Sequence, residues 1–336
     1  MPGQRVWAEG VKPFSDDLQC DAYGNTWATL KGKSDKIIML EAHADEIGYV
    51  VKHVTKEGFI RVDRLGGSDA AVGQGRRLTI YGDKGEVPAI LGNTAIHLRR
   101  DSLSTEKAPK VHQLWVDVGA SSEKDVAKLG IRVGHAAVYQ DGPMNLAKGR
   151  IVGRALDNRV GGFVLRQVMR HFHSQKEKPA FTIVALNAVQ EEIGGNGATM
   201  ATYAIKPDVA ICLDVTHATD TPGLDHSKVG KVTLGGGPTV SHGGANHPLV
   251  VKRLIERGRA SDITLQHEAA GRFTGTDTDS IFTSRSGVPS ALVSFPLRCM
   301  HSVVETIEEA DIDASIKLLI SFIESLDKED TFHHSL

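Results

Sequence analysis

Glu191 and Glu192 stand side by side after an apolar, β-branched run, Thr182–Val189, and Gly194, Gly195 and Gly197 follow them closely. The pattern predicts a buried strand that breaks at Gln190 into a glycine turn and then feeds a helix. Two carboxylates at the end of a buried strand are costly unless a partner, commonly a metal, offsets their charge. Strand alternation would send the two side chains to different sides. One can then bind a cation while the other is free to move a proton.

Four more apolar runs reach a metal-capable residue. Ile37–Leu40 leads to His43, Ile151–Leu156 to Asp157, Val209–Leu213 to Asp214 and Ser290–Phe295 to His301. Each has a bland reading alone: Asp157 as a helix N-cap, Asp214 as a turn residue, His301 as a satisfied histidine. Repeated at the same end of five strands, with Glu192 as the fifth, they point to one site at the carboxyl edge of an open α/β sheet. Two imidazoles and three carboxylates without a thiolate suit Zn, Co or Mn better than Ca or Mg. Five such side chains can hold two divalent ions if one carboxylate bridges, and hydrolytic pairs of this kind sit about 3.5–4 Å apart. Asp45, two residues after His43, is placed to accept the other ring N–H of that histidine.

The elements that must position these residues fall into two textures. Residues 1–47 and 144–336 read as a discontinuous α/β domain, with a short helix near the start, a helix over Arg159–Phe172, another over Pro248–Ile255 and an amphipathic helix over Ile312–Leu326. Gly161 and Gly162 would let their helix lie close to the sheet, and the polar tail from Lys328 is expected to fray. Residues 48–143 carry short alternating runs, Tyr49–Val54, Phe59–Val62, Leu78–Tyr81 and Val87–Leu91, broken by Gly and Asp turns. That is the texture of an inserted β-barrel or sandwich, with a helical patch at Ser122–Leu129 and an exposed loop over Arg99–Lys110.

Five ordered motifs then carry a resemblance. His43-Ala44-Asp45-Glu46-Ile47-Gly48, Ala155-Leu156-Asp157-Asn158-Arg159, Gln190-Glu191-Glu192-Ile193-Gly194, Leu213-Asp214-Val215 and Met300-His301-Ser302 resemble those of the M42 family of dinuclear metalloaminopeptidases, relatives of the tetrahedral and glutamyl aminopeptidases. The resemblance spans Asp21 to Leu326, and Gly119–Ser122 and Gly130–Gly134 in the insert share it. It implies a mixed-sheet α/β/α metallopeptidase domain with an inserted small PDZ-like barrel for dimerisation, assembling from dimers up to dodecamers. It implies that His43 and Asp214 bind one metal, Glu192 and His301 the other, that Asp157 bridges them, and that Glu191 is the general base. The substrates would be peptides with a free N-terminus. Asn158 and Cys299 depart from the usual residues, and the family usually carries a longer N-terminal segment containing Ser-Gly. Gly275-Thr276-Asp277 is similar to a segment near the family's substrate pocket, although Thr276 or Asp277 reads equally well as a helix cap. His242, His247 and His267 have no ligand spacing and read as structural.

Composition narrows the classes. A formal net charge of -2 gives no reason to expect nucleic acid or an anionic membrane as partner. Cys20, Cys212 and Cys299 are far apart and lack CxxC spacing, so they read as free thiols in a reducing compartment. With no apolar run long enough for a membrane span and no signal-peptide pattern, the expected location is the cytoplasm. The alternative function is an M20-like metal-dependent deacylase or aminoacylase. A glycosidase, whose carboxyls must flank the scissile bond about 5–9.5 Å apart, and a non-catalytic assembly protein rank below it.

Overall fold

The computed structural model describes residues 2–98 and 108–334. Much of the loop expected at Arg99–Lys110 therefore lies outside the described residues. An eight-stranded mixed sheet forms the centre. In chain order its strands are β1 (Asp17–Cys20), β2 (Thr26–Leu30) and β3 (Ile37–His43); later residues supply five more. A closed antiparallel barrel follows β3, built from β4 (Gly48–Val54), β5 (Ile60–Leu65), β6 (Arg77–Gly82), β7 (Gly85–Leu91), β8 (Val116–Asp117) and β9 (Ala136–Tyr139). The chain then returns through β10 (Met144–Leu146) and β11 (Arg150–Gly153), which join β17 (Glu305–Glu308) in a small antiparallel sheet. The remaining central strands are β12 (Thr182–Ala188), β13 (Val209–His217), β14 (Thr239–Gly243), β15 (Gln266–Ala270) and β16 (Ser290–Leu297).

The central order is β1-β2-β12-β3-β13-β16-β14-β15, with β12, β3, β13 and β16 parallel. Parallel strands covered on both faces read as continuous apolar runs, which is why they stand out in the sequence. The helices are α1 (Pro2–Val11), α2 (Ala70–Gly73), α3 (Glu123–Lys128), α4 (Leu156–Ser174), α5 (Asn196–Ile205), α6 (His226–Val229), α7 (Pro248–Ala260), α8 (Thr278–Ile281) and α9 (Glu309–Glu324). Side chains of α4, α7 and α9 join Ile38, Leu40, Ile211, Leu213, Val293 and Phe295 in the larger core on one face of the sheet. Residues of α5 and α8 join Met39, Cys212 and Leu292 on the other.

The pleat decides what faces the site. On β3, Ile38, Leu40 and Ala42 belong to the α4 side, so Glu41 and His43 share the opposite face with Met39. On β13, Ile211, Leu213 and Val215 take the α4 side and leave Asp214 and Thr216 on the face of Cys212. Gly161 lies where α4 crosses β3; a Cβ there would come within 2.7 Å of the Ala42 Cβ. The expected close approach of this helix to the sheet thus depends on the missing side chain.

The tail does not fray in the way its polarity suggests. Phe332 is buried and stacks on Phe322 of α9 at 6.3 Å between ring centroids. Asp330 accepts two bonds from the Arg253 guanidinium, at 3.1 and 3.0 Å. One aromatic among polar neighbours is enough to anchor the segment, and its pairing with α9 is invisible to local pattern. No helix among the described residues is long and apolar enough to cross a membrane.

Candidate metal centre

Five side chains, His43, Asp157, Glu192, Asp214 and His301, come from five separate segments and meet at the carboxyl edge of the central sheet. His43 ends β3 and Asp214 lies within β13, two residues before Thr216 and three before the strand's end. That strand continues to His217, past the expected end at Leu213, and Asp214 faces the site by its place in the pleat. Asp157 stands at the head of α4, after β11 has already ended at Gly153. The cap-like bond at the head of this helix comes from Asn158 and not from Asp157: the Asn158 Oδ1 accepts the Gly161 N–H at 3.1 Å, and Asp157 is left to face the site. Arg154 and Arg159 both pair with Glu46 and tie this segment to the β3–β4 connection.

Glu191 and Glu192 do not lie on the strand. β12 ends at Ala188, and both residues sit in the turn that follows. Alternation on a strand therefore does not separate them; the turn does, after Gln190 adopts a left-handed backbone at φ 66°. Asp45 holds this turn. Its carboxylate accepts the N–H of Glu191 at 3.1 Å and of Glu192 at 3.2 Å. Towards His43 it is longer: Nδ1 lies 3.3 Å from the Asp45 carbonyl oxygen and 3.6 Å from the carboxylate.

Donor atoms gather in two groups with one member in common. Ligand atoms of His43, Asp157 and Asp214 lie within 4.8 Å of one another, and so do those of Asp157, Glu192 and His301. Asp157 turns Oδ1 to His43 Nε2 at 2.9 Å and Oδ2 to His301 Nε2 at 3.4 Å. His43 Nε2 is also 3.7 Å from Asp214 and 3.8 Å from Glu191, and His301 Nε2 is 3.4 Å from Glu192. Glu192 Oε1 is buried without a hydrogen-bond partner. An orphaned buried carboxylate oxygen within a mixed nitrogen and oxygen donor set fits a pair of divalent cations.

The electrostatics say the same. Burial, and then the nearby Asp214, push Glu191 up to about 9; burial and Asp157 push Glu192 up to about 7. Burial opposes ionisation of Asp157, yet the bonds from His301 and His43 hold it below the ordinary carboxylate range. The bond to Asp157 lifts His301 to about 9 despite burial. The carboxylates crowd one another so closely that a bound cation would be the natural counter-charge.

Several participants carry no local signal. Glu305, at the start of β17 and 1% exposed, accepts the backbone N–H of Asp157 at 3.2 Å and of His301 at 3.0 Å. Gly67, in the barrel turn after β5, is pressed so close that a Cβ there would lie 2.2 Å from His301 Nδ1. Only its place in a Gly-Gly pair after a strand hinted at a close approach. Glu41 is fully buried beneath His43, and burial raises it to about 8. Thr276 lines the cleft beside the donor groups, and its Oγ1 also accepts the Thr278 N–H at 3.3 Å. Asp277 does not line that cleft: it is 1% exposed and lies against Glu41 beneath the floor, so it is not placed to touch a substrate. Its carboxylate makes no cap bond to α8 either. His242 and His267 bond each other at 3.0 Å on β14 and β15, away from the donor groups.

Comparison with known proteins agrees with this architecture. The M42 glutamyl aminopeptidase family profile matches residues 24–318. A lysyl aminopeptidase of Pyrococcus furiosus is 32% identical over 95% of this chain and 90% of its own length. An aminopeptidase from the archaeon Desulfurococcus kamchatkensis superposes with a TM-score of 0.89 at 33% identity, covering 98% of this chain and 90% of that one. The Pyrococcus horikoshii TET1 peptidase, which can assemble into a tetrahedron or a large octahedral shell, superposes with a TM-score of 0.84 at 25% identity, covering 96% and 93%. With the family profile spanning most of the chain and these relatives matched along nearly all of it, the protein is a peptidase enzyme and belongs to the M42 glutamyl aminopeptidase family.

Proposed function

We propose that the protein is a two-metal aminopeptidase that releases the N-terminal residue of peptides with a free amine. The observation that carries this reading is the sharing of Asp157 between two donor groups, one oxygen turned to each, with Glu191 on the wall of the same cleft. In this reading His43 and Asp214 would hold one ion and Glu192 and His301 the second, with Asp157 offered to both. Two ions of Zn, Co or Mn per subunit would polarise the scissile carbonyl and make a water acidic enough to attack near neutral pH. Glu191 accepts the proton of the attacking water and passes it to the departing amine. Its burial suits that role, because a desolvated carboxylate is a stronger base than one in water. Asp45 keeps Glu191 and Glu192 in register through their backbone N–H groups.

The reading extends to organisation. Residues 48–143 form the inserted dimerisation domain, and 1–47 with 144–336 the catalytic one. The assembly is a homo-oligomer between a dimer and a dodecamer, in line with the shells formed by the Pyrococcus horikoshii relative. The enzyme works in the cytoplasm, where free thiols such as Cys20, Cys212 and Cys299 stay reduced.

The test is hydrolysis of aminoacyl-p-nitroanilides by chelated protein, before and after Zn, Co or Mn is restored, beside the N-acetylated substrates. Metal-dependent release from free amines alone is expected. Hydrolysis of the acylated set would move the protein to the deacylases, and activity that survives chelation would end the two-metal reading.

A further inference from the structure

The cleft over the donor groups has a volume of about 640 Å³ and extends past them along the ends of β13 and β15. Four of the carboxylates lining it are Asp157, Glu191, Glu192 and Asp214. The fifth, Glu268, belongs to β15 and lies outside both donor groups. It is half-buried, and its partners are neutral: Thr216 Oγ1 donates to Oε2 at 2.7 Å and Ser241 Oγ donates to Oε1 at 2.6 Å. Two hydroxyl donors fix the carboxylate in place but do not compensate its charge, and they leave acceptor capacity on both oxygens. None of the described residues lining the cleft is Lys or Arg, and apart from Glu191, Glu268 and the donor groups the one other titratable side chain there is His217.

We propose that Glu268 sets the specificity of the enzyme, selecting substrates whose N-terminal side chain is cationic, lysine first and arginine second. This rests on the aminopeptidase reading and adds the substrate class to it. The spacing supports it. Asp214 and Thr216 are two residues apart on one face of β13, roughly 6.6 Å at strand rise, so Glu268, bonded to Thr216, lies about one long side chain from the donor groups. The four-carbon stem of lysine covers such a gap and brings three donors to its end. Leu292, Met300 and Phe273 supply apolar wall for the methylenes. An apolar guest would bury the carboxylate without a counter-charge, and an acidic one would meet like charge. Discrimination then comes from repulsion as well as attraction.

The test compares lysyl, arginyl, norleucyl and glutamyl p-nitroanilides on the metal-restored enzyme. Lysine and norleucine share a linear stem and differ by the ammonium. The wild type is expected to favour lysyl over norleucyl by tenfold or more in kcat/KM, chiefly through KM, and to cleave glutamyl worst. Glu268→Gln should collapse the lysyl-to-norleucyl ratio towards one, and Glu268→Arg should move the preference to glutamyl. Inhibition by lysinol and norleucinol gives the same ratio as a binding constant. A wild type that prefers norleucyl or glutamyl overturns the proposal while leaving the aminopeptidase intact, and this holds even if the variants do not fold. An unchanged ratio in folded Glu268→Gln also overturns it. Absence of turnover on every free-amine substrate removes the aminopeptidase reading and this one with it.

Discussion

Glu305 Oε2 accepts the backbone N–H of Asp157 at 3.2 Å, joining residues 148 positions apart in the chain. The same carboxylate accepts the His301 N–H through Oε1 at 3.0 Å. One buried side chain thus positions two donors of the candidate metal centre by their main chain. Glu305→Gln replaces one accepting oxygen with an N–H donor that would face another donor. Outer-shell losses of this kind weaken metal affinity by about 10–100-fold. Calorimetric titration of the chelated variant with Zn or Mn should show that loss, while the affinity for a competitive amino-alcohol inhibitor at saturating metal stays within a few fold. Equal metal affinity in variant and wild type would reduce Glu305 to a fold-stabilising acid.

Gly67 makes a separate demand on His301. With a Cβ placed 2.2 Å from Nδ1, Gly67→Ala must push the imidazole aside or lift the barrel turn. Overpacking on this scale costs about 1–3 kcal/mol. On the two-metal proposal the expected outcome is selective: metal binding at Asp157, Glu192 and His301 weakens, and binding at His43, Asp157 and Asp214 is retained. Elemental analysis after dialysis should fall from two ions per chain towards one, with an unchanged circular dichroism spectrum. Retention of both ions would mean the turn yields instead of the histidine.

Sharing of Asp157 also predicts an asymmetry among ligand variants. Asp157→Ala should lose both ions, and Asp214→Ala only one, because Asp214 belongs to a single donor group. Native mass spectrometry distinguishes the two. The same ions should stabilise the fold: at a hundredfold excess over Kd a bound ion adds about 2.7 kcal/mol. The unfolding midpoint of the wild type should rise with added metal, and that of Asp157→Ala should not.

What could be read from the chain itself was the part that interrupts an apolar run. His43, Asp214 and Glu192 were conspicuous because parallel strands buried on both faces leave no other reason for charge at their ends. The α/β sheet and the barrel were legible too, the first from continuous apolar runs and the second from short alternating ones. Glu305 and Glu268 were not, since each reads locally as one more surface acid, and its meaning comes from partners brought in by sheet pairing. The position of Asp277 beneath the floor was equally hidden: a Gly-Thr-Asp segment looks the same whether its carboxyl faces the cleft or Glu41.

The anchored tail gives a prediction with a definite pH dependence. The hydrogen-bonded guanidinium of Arg253 holds the Asp330 carboxyl below its ordinary range. The native state therefore favours the ionised form. The stability this adds is present above the ordinary carboxylate value, about 4, and is lost as the pH falls through the lower native value. Asp330 is part-exposed, so solvent screens the pair and Asp330→Asn should cost no more than about 0.5–1 kcal/mol at pH 7. The difference from wild type should shrink steadily below pH 4 in urea titrations. Phe332→Ala removes a buried ring stacked on Phe322 and should cost about 3 kcal/mol, the lower end for a core phenylalanine, with little change across the same pH range. A frayed tail would leave both variants as stable as the wild type. The contrast between a pH-dependent loss at Asp330 and a pH-independent one at Phe332 separates the ion pair from the apolar anchor.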